Sequence, residues 1–147
     1  VNSLEIKMYP ERTDEYLETI FLINRRSQAP ARTSQIAAEL NVSAPSVTEM
    51  IQKLSDAGFV EYTPYYGAEL TDSGNSLAIK LRHNHRVLRR FLSEVLGIDP
   101  EVAKKEASVL EHVTSEMLLD HICQFMQHVD ICPKCEEPED RCCKISR

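Results

Sequence analysis

Residues 33–70 read TSQIAAELNVSAPSVTEMIQKLSDAGFVEYTPYYGAEL, and the fold turns on the middle of this stretch. Val47, Met50, Ile51 and Leu54 recur at the i, i+3, i+4, i+7 spacing that lines one face of an α-helix with apolar side chains. Ser43 stands where an N-cap hydroxyl takes up a backbone N–H. Pro45 falls in the first turn, where its missing N–H costs nothing. Gly58 supplies the stop. Together they predict a helix over 44–57 whose polar side carries Ser46, Thr48, Glu49, Gln52 and Lys53. A short helix from Thr33, with Ile36, Ala37 and Leu40 as its apolar positions, precedes it across the tight link Asn41-Val42-Ser43. Phe59 to Thr63 alternates as a strand does, Pro64 to Gly67 turns, and Ala68 to Leu70 returns, which predicts a β-hairpin.

Toward the N-terminus, Thr13 is expected to cap a helix whose first turn holds Asp14 and Glu15, acids suited to the positive helix end. Tyr16, Leu17, Ile20, Phe21 and Ile23 are its apolar face. Toward the C-terminus, Thr71 is expected to cap a long helix that runs through Leu77, Leu81, Leu88 and Phe91 to Val95 and ends at Gly97. Asp99-Pro100 opens a helix over 101–113, and another follows over 116–128. From Asp130 onward the chain is charged and cysteine-rich, without periodicity, and there is no internal repeat.

This order of elements is that of a winged helix-turn-helix. The fold class expected is mainly α: an N-terminal winged helix-turn-helix with a small β-hairpin wing, then a helical dimerisation domain. The expected boundaries are 8–73, 74–128 and, for the cysteine-rich tail, 129–147. Val102, Leu110, Leu118, Ile122 and Phe125 exceed what one small core needs, so a homodimer is expected.

The major groove of DNA admits one α-helix. A reading helix therefore needs an apolar back and a polar front, as residues 44–57 have. The candidate DNA contacts are Ser43, Pro45, Ser46, Thr48, Glu49, Lys53 and, at the hairpin tip, Tyr66. Glu49 would repel phosphates, but a carboxylate can accept from cytosine N4. The 147-residue chain carries a net charge of −6, which does not advertise a nucleic-acid partner. The acid is uneven, however. Residues 1–95 hold 11 basic and 12 acidic side chains, and residues 96–147 hold 6 and 11. Arg25, Arg26 and Arg32 cluster in the first part, as do Lys80, Arg82, Arg86, Arg89 and Arg90, so a DNA-facing surface can be locally basic.

No apolar run is long enough for a membrane span, and residues 1–12 have no signal-peptide core, so the expected location is the cytoplasm. No catalytic base or substrate pocket is readable, and the chain is not expected to be an enzyme.

Two sets of metal-competent side chains stand far apart in sequence: Glu15 and Glu18 on the first helix, and Glu111 with His112 on a late one, with His85 on the long helix as a further imidazole. Carboxylate plus imidazole suits Mn2+ or Fe2+. Solvated acids and a surface histidine are the ordinary reading of each residue taken singly. Four of the 5 cysteines, Cys132, Cys135, Cys142 and Cys143, form a tail that fits either a second metal or redox site, with Zn2+ as the ion, or reduced thiols with no ligand. The adjacent second pair is unusual for a Zn2+ site because neighbouring side chains diverge.

The segments Thr13-Asp-Glu-Tyr-Leu-Glu-Thr-Ile20, Ser43-Ala-Pro-Ser-Val-Thr48, Ala57-Gly-Phe-Val60, Leu70-Thr-Asp-Ser-Gly74, Asn84-His-Arg86 and Glu106-Ala-Ser-Val-Leu-Glu-His-Val113 resemble the diphtheria-toxin-repressor and manganese-transport-regulator family of metal-dependent repressors. The resemblance covers residues 8–128 and leaves the tail outside. It implies a metal ion between a DNA-binding and a dimerisation domain. It puts Glu15, Glu18, His85, Glu111 and His112 on ligand positions, and Ser108 where the family has Cys or Glu. Without a thiolate there, the set tilts toward Mn2+ or Fe2+ over Zn2+. Arg89 takes a position where some relatives place an ancillary acid. The function implied is a metal-dependent, sequence-specific repressor that controls metal homeostasis from a near-palindromic operator. The alternative is a winged-helix regulator that senses redox state or a small organic effector.

Overall fold

A computed structural model describes residues 12–126. The chain forms two compact units that divide after Ile79. The first unit holds α1 (Thr13–Ser27), α2 (Thr33–Leu40), α3 (Ala44–Asp56), β1 (Val60–Thr63), β2 (Gly67–Leu70) and the start of α4 (Asp72–Arg90). The second holds the remainder of α4, a π-helical turn (Phe91–Val95), α5 (Pro100–Leu110) and α6 (Glu116–Phe125).

In the first unit α1 packs on α2 and β2, α2 on α3, and α3 on β1. Leu17, Ile20 and Ile23 of α1, Ile36 of α2, and Val47, Ile51 and Leu54 of α3 are fully buried. Full burial of such a side chain contributes about 1.5–3 kcal/mol, which makes this cluster the chief support of α3. Ser43 caps α3 as expected, accepting from Ser46 N at 3.3 Å. The helix ends in a Schellman arrangement around Gly58, with Phe59 N donating to Leu54 O at 2.9 Å and Gly58 N to Ser55 O at 3.0 Å. Gly58 has φ +82°, which an L side chain adopts only with strain.

The hairpin pairs Val60 with Leu70 and Thr63 with Gly67. A third segment joins it. Ala31 and Ala68 exchange two backbone hydrogen bonds of 2.8 Å each. A Cβ at Gly67 would stand 2.5 Å from Ala31 O, so this bridge needs the glycine. At the hairpin's base, Thr71 caps α4 through Gly74 N (3.1 Å) and donates its hydroxyl to Gly58 O (2.7 Å). At the tip, Tyr65 (φ 69°) and Tyr66 are exposed.

The second unit has its own core of Val87, Leu88, Leu92, Ala103, Ala107, Leu119 and Cys123. Asp99 caps α5 by accepting from Glu101 N and Val102 N.

Four local expectations need correction. Thr13 does not cap α1: it is the first helical residue and is buried, and Arg12 precedes it in a left-handed conformation. Regular α-helical bonding in the long helix stops at Arg90, and the wider turn Phe91–Val95 carries it on, with Leu96 N donating to Phe91 O. α5 ends at Leu110, so Glu111 and His112 lie just past the helix rather than within it. α6 ends at Phe125, short of the 128 expected, and residues 127 and 128 lie outside the described residues, as do Cys132, Cys135, Cys142 and Cys143. Among the described residues, no helix is long and apolar enough to cross a membrane.

Candidate DNA interface and metal centre

α3 presents its buried stripe to the first unit's core and leaves Ala44, Pro45, Ser46, Thr48, Glu49, Gln52 and Lys53 exposed. Several of the expected DNA contacts already have partners. Ser43 Oγ and Ser46 Oγ are 2.8 Å apart, and Thr48 Oγ1 donates to Ala44 O at 3.1 Å. Both hydroxyl sets thus serve the first turn of the helix. Lys53 Nζ lies 2.9 Å from Glu49 Oε1, one turn away on the same face. The ammonium holds the Glu49 carboxyl below its ordinary value, chiefly by hydrogen bonding and then by its charge. Gln52 Nε2 donates to Asp56 Oδ1 at 2.9 Å. Tyr66 is exposed beside Tyr65 at the hairpin tip.

One residue important to this surface escaped the sequence reading. Asn24, on α1, donates through Nδ2 to Ala68 O and Ala29 O at 3.1 Å each, and its Oδ1 accepts from Leu70 N at 3.3 Å. A single amide ties the first helix to the return strand of the wing. Its only sequence signal is a polar residue directly after the apolar run Ile20–Ile23, and many exposed asparagines share that.

Of the expected metal ligands, Glu15 and Glu18 belong to the first unit and are exposed. Glu15 Oε2 is held by Arg12, at 2.7 Å from Nη2 and 3.0 Å from Nε. This pairing raises the Arg12 pKa above its ordinary value, through the hydrogen bond first and the Coulomb attraction second.

His85, Ser108, Glu111 and His112 belong to the second unit. Here the structure brings three of them together. Glu111 is 2% exposed, and its Oε2 lies 3.0 Å from His85 Nδ1. His112 Nε2 is 3.8 Å from the other oxygen, Oε1. With its proton on Nδ1, His85 donates to the carboxylate and keeps Nε2 as a lone-pair donor, the orientation that a carboxylate imposes on metal-binding imidazoles. Glu111 N still bonds Ala107 O and the residue keeps a right-handed helical conformation, whereas His112 N bonds Val109 O, the first step of a tighter turn. Ser108 is exposed, and its hydroxyl donates to Lys104 O at 3.1 Å.

The chain matches the family described as "Iron dependent repressor, N-terminal DNA binding domain" over residues 8–68, and its companion "Iron dependent repressor, metal binding and dimerisation domain" over residues 71–138. It belongs to this family. The second match runs past residue 128 and takes in Cys132 and Cys135. An uncharacterized HTH-type transcriptional regulator of Methanocaldococcus jannaschii is 38% identical over 114 residues, 78% of this chain and 91% of that protein. The transcriptional regulator MntR of Escherichia coli is 38% identical over 117 residues, 80% of this chain and 74% of that one. A solved metal-dependent transcriptional regulator, MtsR, superposes with a TM-score of 0.73 at 31% identity over 82% of this chain, which spans 56% of that one. The family is one of DNA-binding, metal-dependent transcriptional regulators and not of enzymes.

Proposed function

We propose that this chain is a transcriptional repressor with Mn2+ or Fe2+ as its corepressor, acting as a homodimer on a near-palindromic operator in control of metal homeostasis. Residues 8–73 would read DNA, 74–128 would bind metal and dimerise, and 129–147 would form the tail. The observation that carries this reading is the buried Glu111 carboxylate against the His85 imidazole, with His112 beside it. A buried carboxylate is costly unless it is paired. Here the pairing group is an imidazole, which keeps a lone pair on its second nitrogen when its single proton sits on Nδ1.

The donor set proposed is Glu15, Glu18, His85, Glu111 and His112, with Ser108 or water completing it. Carboxylate oxygens and imidazole nitrogens suit Mn2+ and Fe2+, and no thiolate among them selects a softer ion. When bound, the metal supplies differential binding energy, stabilising whichever conformations fit DNA. The chain's own residues do the rest: Arg12 holds Glu15, and Glu111 orients His85. Cys132, Cys135, Cys142 and Cys143 fit Zn2+ or a redox role by composition alone.

Dimer formation is supported by the apolar exposure of Val102, Val109, Val113, Met117, Leu118 and Phe125, which the second unit's own core does not use. The test is anaerobic titration of Mn2+, Fe2+ and Zn2+ with operator binding as the readout. Tight binding only with Mn2+ or Fe2+ is the expected result. Equal binding with and without chelator would overturn the reading. If that metal-independent binding also responds to thiol oxidation, the redox alternative takes its place.

A further inference from the structure

At about 100° per residue around a helix, Pro45, Glu49, Gln52 and Asp56 lie roughly opposite the buried stripe of Val47, Met50, Ile51 and Leu54. These are the outermost positions of α3. Proline carries no side-chain donor or acceptor, and Gln52 donates an amide N–H to Asp56 Oδ1. The hydroxyls of Ser46 and Thr48 are engaged in the first turn. Glu49 is the long carboxylate at the centre of the projecting face, with its side chain 70% exposed and its Oε1 paired with Lys53.

We infer that Glu49 reads a cytosine in each half-site, accepting a hydrogen bond from the N4 amino group in the major groove, while Lys53 offsets its repulsion from the phosphates. This rests on α3 being the reading helix. An ionised carboxylate is an acceptor only. In the major groove, guanine offers N7 and O6 and thymine offers O4, all acceptors that repel it. Adenine pairs its N6 donor with an adjacent N7 acceptor, which suits an amide. Cytosine alone presents a donor without an acceptor beside it. An uncompensated carboxylate would carry its charge into the phosphate field. The ammonium of Lys53, 2.9 Å from Oε1, makes the pair neutral and still leaves Oε2 for the base.

The experiment is selection of binding sites from random duplex DNA with the full chain, run with Mn2+ and separately with Fe2+, for wild type, Glu49→Ala and Glu49→Gln. Wild type should select one cytosine per half-site about tenfold or more over other bases. Glu49→Ala should lose the preference at that position alone, keep the rest of the motif, and bind non-specific DNA more tightly. Glu49→Gln should move the preference toward adenine. An unchanged motif with Glu49→Ala overturns this inference and leaves the reading helix standing. A wild-type protein that selects no motif with either metal overturns both.

Discussion

Replacing Asn24 by Leu keeps the side chain's approximate size and removes three hydrogen bonds. Two of the carbonyls it serves have other partners: Ala68 O also accepts from Ala31 N at 2.8 Å, and Ala29 O from Ser27 Oγ at 3.3 Å. Their loss falls at the low end of about 0.5–1.5 kcal/mol per bond. Leu70 N is different. Thr71 N donates to Phe59 O, so by the alternation of an antiparallel ladder the N–H of Leu70 faces away from β1. Asn24 Oδ1 is the acceptor on that side, and leaving a half-buried N–H without it costs about 1–3 kcal/mol. Added apolar contact from leucine returns up to about 1 kcal/mol. The net destabilisation expected is about 2 kcal/mol, a fall in Tm of roughly 6–8 °C for a chain of this size. With no tryptophan in the sequence, far-ultraviolet circular dichroism under urea is the suitable assay, read as a lower midpoint at unchanged slope. Operator affinity should fall by one factor on all sequences, because the wing loses support while α3 does not. Asn24→Asp keeps the acceptor but sets a negative charge against two carbonyl oxygens, and should be no more stable than the leucine variant. Stability within 0.5 kcal/mol of wild type for Asn24→Leu, together with unchanged affinity, would refute the argument.

Gly74→Ala should destabilise, although alanine ordinarily improves a helix by about 1 kcal/mol over glycine. The added Cβ would collide with the carbonyl oxygen of Phe59 and stand 2.8 Å from its carbon, a backbone contact that cannot rotate away; a higher Tm in calorimetry would contradict this. His112→Ala should weaken metal binding and abolish metal-stimulated DNA binding while leaving the oligomeric state intact, which calorimetric titration and sedimentation check together. Ser108→Cys should raise affinity for Zn2+ or Co2+ more than for Mn2+, because a thiolate favours softer ions; an unchanged preference would mean residue 108 does not face the ion. Leu118→Glu places a charge on the exposed apolar face of α6 and should yield monomers, whereas a wild-type chain that sediments as a monomer at micromolar concentration would remove the basis for this.

α3 and the hairpin were legible because several independent signals converge there. The stripe of Val47, Met50, Ile51 and Leu54 sets the face, Ser43 and Pro45 set the start, and Gly58 sets the stop. The end of α5 was not. Nothing in Glu111-His112-Val113 breaks a helix by composition, yet His112 N and Val113 N turn to the carbonyls three residues back, and Leu110 O also takes the hydroxyl and N–H of Thr114. The pairing of His85 with Glu111 joins positions 26 residues apart. Periodicity carries no information at that range: both residues stood out as metal-competent side chains, and only the likeness to a family put them in one ligand set. Arg12 illustrates a further limit: a left-handed arginine before the helix displaced the threonine whose chemistry suits a cap.

The hairpin is fastened at one end only. Thr71, Gly58 and Gly74 lock its base, and Gly67 holds β2 close to Ala31. Pro64, Tyr65 and Tyr66 beyond them are exposed. Doubling a flexible loop costs only about 0.6 kcal/mol in closure entropy. Residues inserted between Pro64 and Tyr66 would cost the turn bond from Tyr66 N to Thr63 O but leave the anchored parts in place, whereas a single insertion between Gly67 and Gly74 would break the register with Ala31 or the cap at Thr71. Descendants of this chain have one place in the wing where length is free to vary, and engineered extensions that reach further along a duplex belong there.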